Sequence, residues 1–273
     1  MVSLLRAAVE PLALRPFLYL ALRASRSLSA ERRAALLGAV RRPPSAREDA
    51  IQAPITRLRS VLGVDPTRVA MQDFGAGSRT QRGNAKPKAR AVAEIYRTAA
   101  ATPAWGDVLF RLVRVLQPTR VLELGTNLGI SAAHLQAALA LNEVEAGIAG
   151  RLVSIEGDPT LADMARAHLA DIQAPSQPTT IVTGRFDDML PGVLDAHGPL
   201  DLVFLDGHHE EAATLRYFGR IAPHLAPGAC VVLDDIEPGQ PVRRAWKILG
   251  AAYPNAERLD LLKLGMLFLQ RPC

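Results

Sequence analysis

The sequence predicts an α/β fold built around an open sheet, and three observations support this prediction. The apolar run 121–124 is followed by Gly125 and Gly129 and then by an Ala- and Leu-rich segment, the pattern of a strand, a glycine turn and a helix. Three later apolar segments each end in an acid, namely Glu156, Asp206 and Asp234. Helical patterns alternate with these strands, and parallel strands place their carboxyl ends at one edge of a sheet, so we expect a single functional edge.

The predicted elements follow in order along the chain. Helices are expected over residues 2–24, 51–62, 91–101, 105–116, 131–139, 160–172, 210–225 and 241–252. Strands are expected over residues 121–124, 151–157, 179–183, 200–207, 229–236, 257–262 and 265–270. Prolines support two of these boundaries, because Pro118 stops the helix before the first strand and Pro159 follows a capping residue at the start of a helix.

The glycine turn is the first candidate for a ligand site. Such a turn brings backbone N–H groups and a positive helix end close to a ligand, and a Cβ would block that approach. The spacing of Gly125 and Gly129 also fits a plain tight turn, and it matches neither the dinucleotide fingerprint nor a P-loop. Glu156 favours a nucleoside, because an acid at the tip of the second strand can accept hydrogen bonds from both ribose hydroxyls.

Four segments together resemble the class I S-adenosyl-L-methionine (SAM)-dependent methyltransferases: residues 123–131, 155–157, 204–209 and 233–236. The nearest well-known branch is the catechol and caffeoyl-CoA O-methyltransferase type, and a closer likeness is to bacterial relatives that also carry the segment Asp73–Ser78. The resemblance runs from about residue 73 to residue 270. It implies a Rossmann-like, seven-stranded, mostly parallel sheet with helices on both faces, an antiparallel last strand, and SAM as the cofactor.

The resemblance also implies which residues bind SAM. They are Glu123, Gly125, Thr126, Asn127, Gly129, Ser131, Glu156, Gly157, Phe186, Asp187 and Asp206. Arg185 stands where relatives often carry an acid beside the adenine ring. The adenine contact is therefore assigned to the backbone of Phe186 or to Asp187.

Methyl transfer to oxygen also needs a way to remove a proton from the acceptor, and either a side chain or a metal ion can provide it. In the catechol branch, acids at the positions of Asp206 and Asp234 and an amide at that of Asp235 hold Mg²⁺, and His209 stands where that branch has a lysine. We expect Asp206 and His209 to be catalytic, and Asp206, Asp234 and Asp235 to be ligands of Mg²⁺. The alternatives are acids that cap turns or bond backbone N–H groups, and a solvated loop histidine.

Three regions are expected: a helical extension over residues 1–50, a helical cap or lid over residues 51–104, and the SAM-dependent methyltransferase domain over residues 105–273. The extension is interpreted as packing on the domain or on a second subunit, although its Arg-rich, acid-poor start also imitates a transit peptide. The glycine-rich segment 73–83 is either a plain loop or a lid.

Composition limits the class of protein. The chain has 273 residues with 49% hydrophobic content, enough for a sizeable core, and no apolar run long enough to span a membrane. Its two cysteines, Cys230 and Cys273, do not suggest a disulfide framework, so a cytoplasmic location is expected. The net charge of +5 comes almost entirely from arginine, and it does not by itself indicate nucleic acid as a partner.

The function expected from these observations is O-methylation of a small molecule by a SAM-dependent methyltransferase. A methyltransferase acting on nucleic acid or protein is one alternative, although residues 234–237 lack the Asn/Asp-Pro-Pro-Tyr motif of amino-group methyltransferases. A SAM-binding module without turnover is another. The sequence leaves open whether the protein forms a homodimer, and these motifs do not identify the methyl acceptor.

Overall fold

The computed structural model describes residues 14–71 and 88–269. Its helices are residues 14–24 (α1), Ala30–Arg41 (α2), Ala46–Leu62 (α3), Val92–Ala99 (α4), Pro103–Leu116 (α5), Ile130–Ala146 (α6), Pro159–Ala170 (α7), Phe186–His197 (α8), Glu211–Ile221 (α9) and Pro241–Ala252 (α10). Its strands are Arg68–Met71 (β1), Lys88–Ala91 (β2), Arg120–Leu124 (β3), Arg151–Glu156 (β4), Thr180–Thr183 (β5), Leu200–Leu205 (β6), Leu225–Leu233 (β7), Glu257–Asp260 (β8) and Gly265–Phe268 (β9).

Within the described residues, seven strands form one sheet in the order β5-β4-β3-β6-β7-β9-β8. The pairs from β5 to β7 are parallel, and β9 is antiparallel to both β7 and β8. The chain moves outward from β3 in one direction and then outward from β6 in the other. The crevice at the carboxyl ends of β3 and β6 is therefore the topological switch point, where open α/β sheets bind ligands. The predicted fold class is confirmed.

The sheet is covered on both faces, which explains its nearly continuous apolar strands. Val121 and Leu122 are consecutive in β3 and point to opposite faces, the first into a core with α1, α2, α3, α5, α6 and α7, the second into a core with α8, α9 and α10. Both side chains are almost fully buried. The two cores fix the carboxyl edge of the sheet between them.

The N-terminal helices belong to the first of these cores. Leu18 and Leu22 of α1 and Leu36 of α2 are buried in the same cluster as Met266 of β9. Polar contacts reinforce the packing, because the Ser29 backbone N–H donates to a Glu257 carboxylate oxygen (3.0 Å), and Arg32 pairs with the same oxygen (2.7 Å). The boundaries at residues 50 and 104 stay predictions. No helix in the described part of the chain is long and apolar enough to cross a membrane.

Four elements were not predicted from the sequence: α2, α8, β1 and β2. Residues 186–197 form α8 because Leu190, Val193 and Leu194 are buried against the second core and outweigh the turn tendency of Pro191 and its neighbouring glycine. Strands β1 and β2 pair as an antiparallel two-stranded sheet that the sequence pattern did not predict. The predicted loop or lid over 73–83, including Asp73–Ser78, lies in the part of the chain that is not described, as does Cys273.

Candidate active site

A cavity of about 1150 Å³ opens at the carboxyl edge of the sheet. Pockets for one small ligand usually measure about 300–1,000 Å³, so this cavity has room for a cofactor and a second molecule. The predicted cofactor residues that line it are Gly125, Asn127, Glu156, Gly157, Phe186, Asp187 and Asp206. His209, Asp234 and Asp235 line it as well, so the predicted catalytic and metal residues share one cavity with the cofactor residues.

Gly125 sets the shape of the turn after β3. Its φ of +105° lies in the left-handed region, and a Cβ at this position would come within 2.1 Å of the carbonyl oxygen of Asp206. Only glycine fits such a close approach of two backbones. The turn therefore passes directly against the end of β6, which brings Asp206 beside the glycine turn.

Four of the predicted cofactor residues do not line the cavity and instead support the turn: Glu123, Thr126, Gly129 and Ser131. The Ser154 hydroxyl donates to Glu123 and shares a hydrogen bond with the Thr126 hydroxyl. Burial raises the pKa of Glu123 to about 7, although hydrogen bonds from Ser131 and Ser154 act in the opposite direction. These residues form a buried polar layer under the loop rather than a ligand surface.

Glu156 is held at the tip of β4 by backbone groups. The Asn127 N–H donates to its Oε2 (2.7 Å), and the Asp158 N–H donates to its Oε1 (2.9 Å). Burial raises the pKa of Glu156, and these backbone hydrogen bonds oppose that shift. Each carboxylate oxygen can accept a second hydrogen bond, so both can still receive a ligand hydroxyl from the cavity.

Phe186 and Asp187 have different roles on the neighbouring wall. The Phe186 ring lines the cavity and packs edge-on against Tyr217, with ring centroids 5.5 Å apart. The Asp187 carboxylate pairs with Arg216 (3.1 Å) and Arg220 (2.9 Å) on α9. Burial raises the pKa of Asp187, but the two arginines outweigh it and lower the pKa overall. Asp187 thus connects α8 to α9, and the Phe186 ring offers an apolar surface to the cavity.

Three acids and a histidine meet at the ends of the adjacent strands β6 and β7, and we call Asp206, His209, Asp234 and Asp235 together with Lys263 the acid cluster. His209 Nδ1 lies 3.3 Å from Asp235 Oδ2, and His209 Nε2 lies 3.8 Å from Asp206 Oδ1. Burial raises the pKa of Asp206 well above its usual value, and the negative charge of Asp234 adds to the shift. The predicted catalytic pair is thus brought together.

Lys263 is the member of the acid cluster that the sequence analysis missed. It lies in the turn between β8 and β9, and its Nζ is 2.9 Å from Asp234 Oδ1, 3.0 Å from Asp234 Oδ2 and 2.6 Å from Asp235 Oδ1. Of the two contacts with Asp234, only the one at 3.0 Å has hydrogen-bond geometry, and Asp234 Oδ1 is buried with no hydrogen-bond partner among the described residues. The sequence offered one signal that could have pointed to this residue, because Lys263 is one of four lysines in an arginine-rich chain.

The predicted Mg²⁺ site does not fit the acid cluster as it is arranged. Asp234 and Asp235, two of the three predicted ligands, are engaged by the Lys263 ammonium, which donates hydrogen bonds and cannot coordinate a metal. In residues 14–71 and 88–269, no group of three or more His, Cys, Asp and Glu side chains has the arrangement of a metal site.

Part of the cavity wall comes from the N-terminal half of the chain. Phe17 of α1, Arg97 of α4 and Trp105 of α5 line it. This wall combines two aromatic rings with a guanidinium group that lies on the exposed side of α4. The helical extension therefore contributes Phe17 to the lining of the cavity that also contains the acid cluster.

Two further histidines, His134 and His224, lie outside the cavity. His134 is buried in α6, where its Nε2 is 3.2 Å from Arg59 Nη2 and its Nδ1 is 3.1 Å from Gln52 Oε1. Burial lowers the pKa of His134 to about 3, and the nearby Arg59 charge lowers it further. His134 thus connects α6 to α3, which carries both Gln52 and Arg59.

Comparisons with known proteins agree with this geometry. Residues 122–236 match a family described as a methyltransferase domain. A catechol O-methyltransferase from Niastella koreensis is 30% identical over 138 residues, which are 50% of this chain and 58% of that protein. A catechol O-methyltransferase from Mycobacterium tuberculosis is 34% identical over 145 residues, which are 53% of this chain and 60% of that protein. In both cases the match spans less than two thirds of the curated relative.

A solved structure shares the fold. The O-methyltransferase TomG from Streptomyces achromogenes, involved in tomaymycin synthesis and solved in complex with SAM, superposes with a TM-score of 0.52 and 28% identity, covering 64% of this chain and 82% of that one. The motifs, the sheet order and these matches confirm the resemblance stated from the sequence. Residues 122–236 thus resemble a methyltransferase domain, and the chain is similar to O-methyltransferases.

Proposed function

We propose that the protein is an enzyme that transfers the methyl group of SAM to an oxygen atom of a small molecule. The observation that carries the proposal is that Glu156 and the acid cluster open into one cavity. Glu156 suits the ribose of a nucleoside cofactor, and His209 suits the removal of a proton from an acceptor hydroxyl. The cavity is large enough for both molecules.

The glycine-turn side of the cavity, which we define as Gly125, Asn127, Glu156, Gly157 and Phe186, fits SAM. Gly125 lines this side, the Glu156 carboxylate can accept further hydrogen bonds, and the Phe186 ring offers an apolar surface to a planar base. SAM supplies an activated methyl group on a sulfonium, so the protein needs to align the reactants and exclude water.

His209 is our candidate for the base that accepts the acceptor's proton. Asp235 lies 3.3 Å from its Nδ1, so the carboxylate favours a proton on that nitrogen and leaves Nε2 free to accept one. Nε2 is also near Asp206, which lines the cavity beside the glycine turn. A hydroxyl placed between Asp206 and His209 would lie at the border between the two sides of the cavity.

The substrate class follows from the wall and from the relatives. Phe17 and Trp105 give the acceptor space two aromatic rings, and the two relatives named above are catechol O-methyltransferases. We therefore propose a hydroxylated aromatic acceptor. The cytoplasmic location and the homodimer stay predictions, which cell fractionation and light scattering would test.

Turnover with pooled acceptors tests the function. Wild-type protein is incubated with SAM and, separately, with pooled phenols and catechols, with RNA and with protein extract, and the formation of S-adenosylhomocysteine is followed by mass spectrometry. We expect product only in the first pool, and a mass increase of one methyl group on a hydroxylated aromatic compound. His209→Ala should abolish the transfer, whereas His224→Ala, outside the cavity, should not.

Two outcomes would contradict the proposal. If methyl groups were incorporated only into RNA or protein, the acceptor would be a macromolecule and not a small molecule. SAM binding without turnover in any pool would favour a binding module.

A further inference from the structure

The backbone anchors Lys263 beside the acid cluster. Within the turn between β8 and β9, the Leu261 N–H donates to the Leu264 carbonyl (2.9 Å). The Lys263 carbonyl of the same turn accepts a hydrogen bond from the N–H of Ile236, which follows β7 (2.9 Å). Because Gly265 pairs with Leu233 at the end of β7, the turn lies directly next to the residues that follow that strand. These backbone hydrogen bonds and the pairing of β9 with β7 therefore fix the position of Lys263.

The positive charge of the Lys263 ammonium lies close to two carboxylates, those of Asp234 and Asp235. Its Nζ lies 2.9 and 3.0 Å from the two carboxylate oxygens of Asp234 and 2.6 Å from Asp235 Oδ1. The lysine side chain is 23% exposed and that of Asp234 only 11%, so water screens this contact weakly. Acids this close repel one another unless a cation lies among them or one is protonated.

A divalent ion would have to use the same oxygens. The resemblance implies a metal held by Asp206, Asp234 and Asp235, but the last two already face the ammonium. A metal ion bound there would lie beside a fixed positive charge. The chain thus carries its own positive charge at the position where the resemblance implies a metal ion.

We propose that Lys263 is the resident cation of the acid cluster, and that it takes the place of a divalent metal ion, so the site binds no Mg²⁺ or Mn²⁺. The inference concerns the same site as the proposed function, but it does not require turnover to be tested. Lys247 offers a matched control, because it is exposed on α10 and lies outside the cavity.

Manganese titration followed by electron paramagnetic resonance tests the proposal, because bound Mn²⁺ loses the sharp signal of the free ion. We expect wild-type protein, Lys263→Arg and Lys247→Met to leave the signal unchanged. Lys263→Met should bind one Mn²⁺ per chain at least about tenfold more tightly than wild type, because the acids are then free to act as oxygen ligands. Adding Asp234→Asn to Lys263→Met should remove the gained binding.

Two results would overturn the proposal. The first is stoichiometric Mn²⁺ binding by the wild-type protein that Asp234→Asn abolishes, a result that does not depend on whether Lys263→Met folds. The second is a folded Lys263→Met, checked by circular dichroism, that gains no Mn²⁺ affinity over wild type. Failure of the proposed function would look different, as it would leave these metal titrations unchanged and remove only turnover.

Discussion

On the glycine-turn side of the cavity the Glu156 carboxylate is held by backbone groups, whereas the acid cluster consists of side chains that meet across the sheet. Glu156 accepts hydrogen bonds from the N–H groups of Asn127 and Asp158, which lie shortly after the ends of β3 and β4. In the acid cluster, Lys263 reaches Asp234 from a turn 29 residues further along the chain. The first side therefore depends on local geometry, and the second depends on charge balance between distant residues.

Gly125→Ala should have the largest effect, because it breaks the backbone geometry of the glycine-turn side. The new Cβ would meet the Asp206 carbonyl at 2.1 Å at a φ of +105°, so we expect a loss of about 3 kcal/mol or more in the free energy of unfolding. Binding of SAM should be lost as well. Denaturant unfolding and calorimetric titration measure the two effects.

Gly219→Ala is the matched control for this substitution. Gly219 lies inside α9, and a Cβ added there would meet nothing within 4 Å, so alanine should stabilise the protein by about 0.5–1 kcal/mol. If Gly125→Ala were as well tolerated as Gly219→Ala, the close approach of the turn to β6 would not constrain the site.

Glu123→Gln should change how stability depends on pH. The folded-state pKa of Glu123 is raised from 4.5 to about 7, so the folded state favours the neutral acid. Wild-type stability relative to Glu123→Gln is therefore greatest below about pH 4.5 and falls by about 3 kcal/mol as the pH rises through about 7. Unfolding curves of both proteins at pH 5 and pH 8 measure this difference, and parallel pH profiles would contradict it.

Asp187→Asn should have the smallest effect. Its partners Arg216 and Arg220 are 40% and 39% exposed, so solvent screens the pairs and we expect a loss of about 0.5–1 kcal/mol in stability. Because the carboxylate faces α9, the affinity for S-adenosylhomocysteine should change little. A strong loss of affinity in calorimetry would instead support the direct adenine contact that the sequence suggested.

The same contrast explains what the sequence could predict. Gly125 and Glu156 directly follow or end apolar strands, so their place at the carboxyl edge was predictable from local patterns, and the sheet with its antiparallel last strand followed from the resemblance. The contact of Lys263 with Asp234 depends on the register of β9 against β7, which no short segment encodes. Phe17 likewise reaches the cavity only through the packing of α1.

Titration with S-adenosylhomocysteine tests most directly whether the cofactor binds to the glycine-turn side of the cavity and not to the acid cluster. Glu156→Ala and His209→Ala are compared side by side with wild type. Glu156→Ala should lose about 2–3 kcal/mol of binding free energy, roughly 30- to 150-fold in affinity, because two hydrogen bonds to a charged acceptor are removed. His209→Ala should bind within about twofold of wild type, since His209 belongs to the acid cluster. Equal weakening by both substitutions, or unchanged affinity in Glu156→Ala, would contradict the account.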